Sequence, residues 1–242
     1  MAQVALCVPH GEKLSPMVNR ALLSMQNNYR QHEFLYVEVD TIIIGKARNM
    51  MVDTSLAQNV DVLFSIDDDV LVPENAGDLI EQSLALDIVS GIYYNRRMPY
   101  TPQIFKLAEE PAYKADGLYW PMLEFPSETD VFEVDAVGAG CMCVRASVYK
   151  KLREYWGDIF KTASEQITHP AAAKLVADFS PWYEFLNKRG EDMYFCERAK
   201  EAGYSIWVNP TIQCQHLGQM AVAKEHFDYL KNNNLIIKEP IK

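Results

Sequence analysis

Apolar and polar residues form short blocks along the first third of the chain, and their spacing predicts alternating strands and helices. Apolar runs such as VALCV and VLFSI are typical of buried strands, whereas apolar residues three and four positions apart are typical of helices. The predicted strands are Val4–Val8, Phe34–Val39, Val60–Ile66 and Ile88–Gly91. The predicted helices are Pro16–Asn27, with Ser15 as N-cap, Lys46–Gln58, and a segment that opens at Pro73 and continues through Leu84.

The order of these elements predicts an α/β fold with a central, mostly parallel sheet flanked by helices. Strands that alternate with helices are joined by right-handed crossovers, which make neighbouring strands parallel. Ligands of such sheets bind beyond the carboxyl ends of the strands. We therefore expect the loops after Val8, Val39 and Ile66 to converge on one crevice.

The second half of the chain predicts a smaller mixed or antiparallel extension. Prolines interrupt short strand-like pieces between Tyr93 and Val144, and the segment 132–145 predicts two strand pieces around the turn Gly138-Ala139-Gly140. Residues 146–154 and 190–202 predict helices, and 205–218 predicts a strand, a turn and a strand. The sequence shows no linker, so we expect a single domain.

Composition narrows the choice of partner and compartment. The net charge of −10 disfavours nucleic acid as a main partner, although a divalent cation can link an acidic protein to an anionic small molecule. The sequence has no apolar run of the roughly 18–20 residues that a membrane span needs, and its start lacks the features of a signal peptide. Five scattered cysteines without zinc-site spacing predict reduced, buried thiols, so we expect a cytoplasmic protein.

Three consecutive aspartates, Asp67, Asp68 and Asp69, directly follow the predicted strand in VDVLFSIDDDVLVPE. Like charges repel, and no basic residue lies within several positions of this DxD-containing turn. Carboxylates at i and i+2 can share one divalent cation, or divide between a cation and a sugar hydroxyl, and Mg²⁺ or Mn²⁺ keeps open positions for phosphate oxygens. The alternative is a solvated acidic loop that leads into the next helix.

A second acidic pair, Glu191 and Asp192, lies in the first turn of the helix predicted by GEDMYFCERAKEAG. Carboxylates at this position are favourable to the helix dipole, which is sufficient to explain them structurally. The same dipole would keep Asp192 ionised, and an ionised carboxylate in a crevice can act as a general base.

Three further sites carry a functional and a structural interpretation each. His216 follows Ile212 and Cys214 at strand spacing, which predicts an inward imidazole that serves as a metal ligand or as a hydrogen-bonded core residue. Arg48 near a helix start opposes the dipole, which indicates a nucleotide contact unless it is a surface arginine. Trp182 and Tyr183 in SPWYEF predict a stacking platform for a sugar or ordinary core.

These pieces, in this order, resemble the nucleotide-diphospho-sugar transferases of the GT-A fold, especially glycosyltransferase family two. The resemblance covers nearly the whole chain and is carried by VALCVP, GKARN, FSIDDDV, VDAVGAGCMCVR, PWYEF, GEDMYFCERAKEAGYSIWVNP and QHLG. The stretch SGIYYNRRMPYTP is similar to a segment of bacterial and phage members, which extends the expected compartment to the host cytoplasm. The resemblance implies a nucleotide-binding half at 1–92, an acceptor and catalytic half at 93–218, and a polar helix and tail at 219–242.

The resemblance also implies a role for each candidate residue. A Mn²⁺ or Mg²⁺ ion would be held by Asp69 and His216, with Asp67 beside them, and would bridge the diphosphate of a UDP- or GDP-type sugar donor. Asp192, with Glu191 next to it, would deprotonate the acceptor hydroxyl, and this placement favours inversion. The nucleotide pocket would contain Pro9, His10, Arg48, Asp67 and Asp68, and the sugar or acceptor side would contain Gly138, Ala139, Gly140, Trp182 and Tyr183.

Two departures from the family pattern bear on substrate choice. The first loop, PHGEKLSP, lacks the polar-acidic turn of many family-two members, and the sequence has no membrane helix after residue 218. The acceptor stays open among a glycan, a lipid, a protein and a modified nucleobase. A nucleotidyltransferase of similar fold and a non-catalytic nucleotide-sugar-binding module are the alternatives, although VPHGEKLSP is a poor match to a triphosphate-binding loop.

Overall fold

The computed structural model describes residues 1–11, 14–40, 43–109, 119–177, 180–185, 190–218, 221–233 and 235–236. Its helices are α1 (Pro16–Asn28), α2 (Ile44–Ala57), α3 (Asp78–Leu86), α4 (Ala146–Glu165), α5 (Pro170–Ala177), α6 (Glu191–Glu201) and α7 (Lys224–Asn232), and a 3₁₀ turn covers Glu74–Gly77. Its strands are β1 (Gln3–His10), β2 (Glu33–Asp40), β3 (Val62–Ile66), β4 (Val70–Leu71), β5 (Ile88–Ile92), β6 (Ile104–Leu107), β7 (Tyr119–Pro121), β8 (Phe132–Val134), β9 (Ala136–Val137), β10 (Cys141–Arg145), β11 (Ile206–Gln213), β12 (Gln215–Leu217) and β13 (Ala221–Val222).

A seven-stranded sheet with the order β2-β1-β3-β10-β5-β11-β8 forms the centre of the molecule. The pairs β1–β2, β1–β3 and β5–β11 are parallel, whereas β10 runs antiparallel to both β3 and β5, and β8 runs antiparallel to β11. Two three-stranded sheets, β13-β12-β4 and β7-β6-β9, lie beside it. The predicted fold class is therefore confirmed.

The two faces of the central sheet pack against two separate hydrophobic clusters. Alternate residues of β1 divide between them: Ala5 and Cys7 pack with residues of α2, whereas Val4, Leu6 and Val8 pack with residues of α1 and α3. Because both faces are covered, β3 and β5 are buried at every position. This explains the continuous apolar runs seen in the sequence.

The first-half elements were predicted to within two residues at nearly every end, but the structure differs from the predictions in other respects. Strand β10 lies between β3 and β5 in the middle of the main sheet rather than in an extension. Helix α4 continues to Glu165, well past the predicted end at 154, because Leu152 and Trp156 prolong its buried face. Ser15 makes no side-chain hydrogen bond as an N-cap. Of the predicted C-terminal helix and tail, α7 is present, and residues 237–242 lie outside the described residues.

Candidate active site

Most of the candidate residues lie at one edge of the central sheet, where several strands end or begin. The parallel strands β1 and β2 end together, with His10 paired to Asp40, and the aspartate turn follows the end of β3. The antiparallel strand β10 begins at this edge, since its first residue, Cys141, pairs with Ile66. The turn at 138–140 therefore reaches the same place, as does the chain that leaves β11 toward His216.

Each of the three aspartates has a different partner from a distant part of the chain. Asp67 Oδ1 accepts a hydrogen bond from Arg48 Nη2 at 2.7 Å, and Asp68 Oδ2 accepts one from the backbone N–H of Gly11 at 3.3 Å. Asp69 forms an ion pair with Arg96 and lies 3.2 Å from Nε2 of His216. The sequence suggested either a solvated turn or a cation supplied from outside, but two arginines of the chain itself already offset the repulsion.

Arg48 is a buried ion-pair hub, which corrects both sequence interpretations of this residue. Its guanidinium is only 3% exposed and also donates from Nε to Glu191 Oε1 at 3.1 Å and from Nη1 to Ser65 Oγ at 2.7 Å. A further contact from Nη1 to the carbonyl of Ala139 spans 3.4 Å. Arg48 is thus neither a surface residue nor open to a nucleotide, and it links the aspartate turn to the start of α6.

The Asp69–His216 pair has the chemistry of a divalent cation site. His216 Nδ1 donates to the backbone carbonyl of Tyr94 at 2.7 Å, which leaves Nε2 directed at Asp69, as in histidines oriented for metal binding. Burial lowers the pKa of His216, but the hydrogen bond and the charge of Asp69 outweigh this effect and raise the pKa. Burial raises the pKa of Asp69, but the contacts with His216 and Arg96 outweigh this effect and lower the pKa.

An imidazole nitrogen and a carboxylate oxygen suit Mn²⁺, so the residues present fit the metal. Within the described part of the chain no three His, Cys, Asp or Glu side chains converge, so the remaining ligands would come from phosphate oxygens and water. Asp67 does not complete the pair, in contrast to its predicted role, because its carboxylate binds Arg48.

Tyr93 fills the space between the candidate metal pair and the glycine turn. Its ring contacts His216 edge-on, with 5.5 Å between ring centroids, and its hydroxyl accepts the backbone N–H of Gly140 at 3.2 Å. A Cβ at Gly138 would lie 2.1 Å from that hydroxyl, and one at Gly140 would lie 2.8 Å from Tyr93 Cζ. In the structure these glycines make room for Tyr93, whereas the resemblance implied that they lie on the sugar or acceptor side.

Asp192 lies in the first turn of α6 and is half-buried beside the buried Glu191. Burial, and next the charge of Glu191, raise the pKa of Asp192 to about 7, against the lowering effects of Arg48 and of the Met193 N–H. The sequence predicted that the helix dipole keeps Asp192 ionised, but burial and the charge of Glu191 act against this ionisation. A carboxyl with a pKa near neutral is better suited to accept a proton reversibly than an ordinary aspartate.

The remaining candidates divide between the crevice and the core. Pro9 and His10 end β1, and His10 Nδ1 contacts the carbonyl of Gly11, whose N–H binds Asp68. Trp182 and Tyr183 are buried, the former donating to the carbonyl of Tyr149 and the latter stacked on Phe195. Because their faces are covered by protein, they belong to the core rather than to an open sugar platform.

Comparison with solved structures identifies the fold. The A197 protein from STIV aligns with a TM-score of 0.54 and 17% identity over 93% of this chain and 92% of its own. The structure of GalNAc-T7 with UDP, GalNAc and Mn²⁺ aligns with a TM-score of 0.56 and 9% identity over 90% of this chain. The chain has a GT-A-like fold. It spans 44% of the GalNAc-T7 chain. No protein-family model and no curated protein matches the sequence.

Sequence reasoning missed two residues of this site, Tyr93 and Arg96, although a signal for both was present. They directly follow β5, so the rule that placed the aspartate turn at the carboxyl edge also applies to them. None of the described helices is long and apolar enough to cross a membrane.

Proposed function

We propose that this protein is a metal-dependent glycosyltransferase that moves a sugar from a nucleotide-diphosphate donor to an acceptor hydroxyl. The observation that carries the proposal is the link through Arg48: it pairs with Asp67, in the same turn as Asp69 of the candidate metal pair, and with Glu191, which directly precedes Asp192. Burial, and next the charges of Asp67 and Asp192, raise the pKa of the Tyr93 hydroxyl. The two functions that transfer needs, a metal site and a base, would thus lie close together.

The residues on the metal side would hold the leaving group. A bound Mn²⁺ or Mg²⁺ would stabilise, as a Lewis acid, the negative charge that grows on the departing diphosphate. Asp69 and His216 would hold that ion, and the His216–Tyr94 hydrogen bond fixes the imidazole orientation in advance. Pro9, His10 and Asp68, at the ends of β1 and β3, would contact the nucleoside.

On the other side, Asp192 would remove the proton of the acceptor hydroxyl as that oxygen attacks the anomeric carbon. General-base assistance typically contributes a factor of about 10²–10⁴ to the rate. A base opposite the leaving group favours in-line displacement and therefore inversion. Glu191, held by Arg48, would position α6 and keep the pKa of Asp192 raised through its charge.

The first experiment is a thermal-shift panel of UDP, GDP, CDP, TDP and ADP, each with and without Mn²⁺. We expect one nucleotide to raise Tm only with Mn²⁺, and a ligand at a hundredfold excess over Kd stabilises the folded state by about 2.7 kcal/mol. The shift should vanish in Asp69→Ala and persist in Asp158→Ala, which removes an exposed carboxylate of α4. A metal-dependent shift that persists in Asp69→Ala would contradict the assigned metal site.

Product analysis then separates transfer from its alternatives. Incubation with the matching nucleotide sugar and candidate acceptors should release the nucleoside diphosphate, whereas a nucleotidyltransferase would release pyrophosphate from a nucleoside triphosphate. Asp192→Asn should bind the donor but lose transfer. Full transfer by Asp192→Asn would show that another group is the base.

A further inference from the structure

The chain between β5 and β6 folds into a tight hairpin that reaches back over the candidate metal pair. Gln103 N–H donates to the Tyr93 carbonyl at 2.9 Å, and Asn95 N–H donates to the Thr101 carbonyl at 2.8 Å. The tip is closed by the Tyr100 N–H, which donates to the Arg97 carbonyl at 2.9 Å. These backbone bonds fix the path of the segment 93–103, which we call the 93–103 hairpin.

The base of the 93–103 hairpin is anchored to the site. Tyr94 is fully buried and stacks on Phe227 with 5.5 Å between ring centroids, and its hydroxyl donates to Gln213. Its carbonyl accepts the hydrogen bond that orients His216. Movement of the hairpin backbone at Tyr94 would disturb the imidazole of His216, so we expect this backbone to stay in place when ligands bind.

The tip of the hairpin, in contrast, is exposed and carries the cation that neutralises Asp69. Arg96 is 49% exposed and pairs through Nη1 with Asp69 Oδ2, while Oδ1 of the same carboxylate faces His216. Both carboxylate oxygens of the candidate metal ligand are therefore engaged. A divalent cation that binds Asp69 must compete with the guanidinium for this carboxylate.

We propose that Arg96 is an exchangeable counter-ion: it pairs with Asp69 in the absence of ligands, and it transfers to the diphosphate of the donor when the metal binds Asp69. The proposal rests on the proposed function. A guanidinium forms strong, paired hydrogen bonds with phosphate oxygens, so the same side chain suits both partners. Because Tyr94 holds the hairpin base, a change of side-chain rotamer at an exposed position is sufficient for the exchange.

The exchange predicts that Arg96→Ala raises the affinity for Mn²⁺ and lowers the affinity for pyrophosphate. Arg96→Ala removes the competitor for Asp69, so Mn²⁺ alone should bind about two- to fivefold more tightly, in keeping with the strength of a half-exposed ion pair. The same variant loses a phosphate contact, so inorganic pyrophosphate at saturating Mn²⁺ should bind about tenfold or more weakly. Pyrophosphate makes this test independent of the nucleotide base.

The test measures both affinities by isothermal titration calorimetry, with Mn²⁺ binding also followed by electron paramagnetic resonance. The matched control is Arg97→Ala, which removes the same charge from the neighbouring exposed position, where the side chain makes no ion pair within the described residues. We expect Arg97→Ala to resemble the wild type in both titrations. Arg96→Lys should retain the competition with Mn²⁺ but recover only part of the pyrophosphate affinity, because an ammonium cannot bind phosphate in a paired geometry.

The outcomes distinguish this proposal from the function on which it rests. Tighter Mn²⁺ binding together with weaker pyrophosphate binding in Arg96→Ala alone would support the exchange. Suppose that the wild type binds Mn²⁺ and pyrophosphate. If Arg96→Ala then binds both ligands with wild-type affinity, or binds both more weakly, the exchange is refuted and the proposed function stands. Equal changes in Arg97→Ala would refute it as well, since general electrostatics would then explain the result. A wild type that binds neither ligand would overturn both proposals.

Discussion

Replacing Arg48 by methionine tests whether this buried arginine joins the aspartate turn to α6. Methionine keeps much of the unbranched aliphatic length of arginine but removes all of its hydrogen-bond donors. The variant would leave Glu191, 10% exposed, and Asp67, 24% exposed, without their shared cation, and Ser65 Oγ without its donor. The loss of unfolding free energy should therefore be much larger than the loss caused by breaking a surface ion pair.

The expected magnitude follows from the burial of the partners. Removing one member of a buried ion pair typically costs about 3–5 kcal/mol because a charge remains without compensation. Asp67 retains some contact with water, so we expect a loss near the lower end, about 3 kcal/mol of unfolding free energy. The double variant Arg48→Met/Glu191→Gln should recover about 1–2 kcal/mol, because it removes one of the two orphaned charges.

Urea unfolding followed by circular dichroism measures these differences, provided that the slope m is unchanged between variants. The matched control is Arg145→Met: Arg145 is 48% exposed and lies 3.8 Å from Asp87, so its loss should cost no more than about 1 kcal/mol. Equal, small losses in Arg48→Met and Arg145→Met would refute the buried hub. A double variant less stable than Arg48→Met would refute the orphaned-charge explanation.

Three other predictions follow from the site and the core. The pKa of Asp192, raised to about 7, makes the folded state retain a proton that the unfolded state has released. The contribution of Asp192 to stability should therefore fall as pH rises from about 4 to 7, and Asp192→Asn should be more stable than the wild type at pH 8 by up to about 4 kcal/mol in urea melts. A stability difference between the two proteins that does not change with pH would contradict the raised pKa. Gly138→Ala should lower the free energy of unfolding by about 1–3 kcal/mol, because the new methyl group would overlap with Tyr93. In the control Gly157→Ala, a Cβ meets nothing within 4 Å, so this variant should be as stable as the wild type or more stable. Equal effects of the two substitutions would contradict the close packing around Gly138. All five cysteines are buried, and burial raises the pKa of Cys7 to about 12. A thiol reagent should therefore label none of them in the folded protein at pH 8 and all five in denaturant. Rapid labelling of the native protein would contradict this burial.

The local sequence was sufficient to place a turn after a strand, but not to place an aromatic side chain or to order the strands of the sheet. The turn 67–69 was placed correctly because its position depends only on the strand before it and on the direction of parallel strands. The sequence pattern around Trp182 fits the core and a sugar platform equally, because an aromatic residue has the same pattern in both, and the resemblance placed it on the sugar or acceptor side, whereas the structure buries it. The central position of β10 was missed because strand order depends on pairing between segments far apart in the chain.

The sequence by itself determined the strands and helices of the first half, the buried character of β3, and the convergence of polar side chains at one sheet edge. These features depend on local periodicity and chain direction, which neighbouring residues encode. Only the tertiary structure decided the partners of the charges. Arg48 and Arg96 lie 19 and 27 residues from the aspartates that they neutralise, and Glu191 lies 143 residues from Arg48. The raised pKa of Asp192 is decided in the same way, because desolvation and neighbouring charges exist only once those distant segments have packed together.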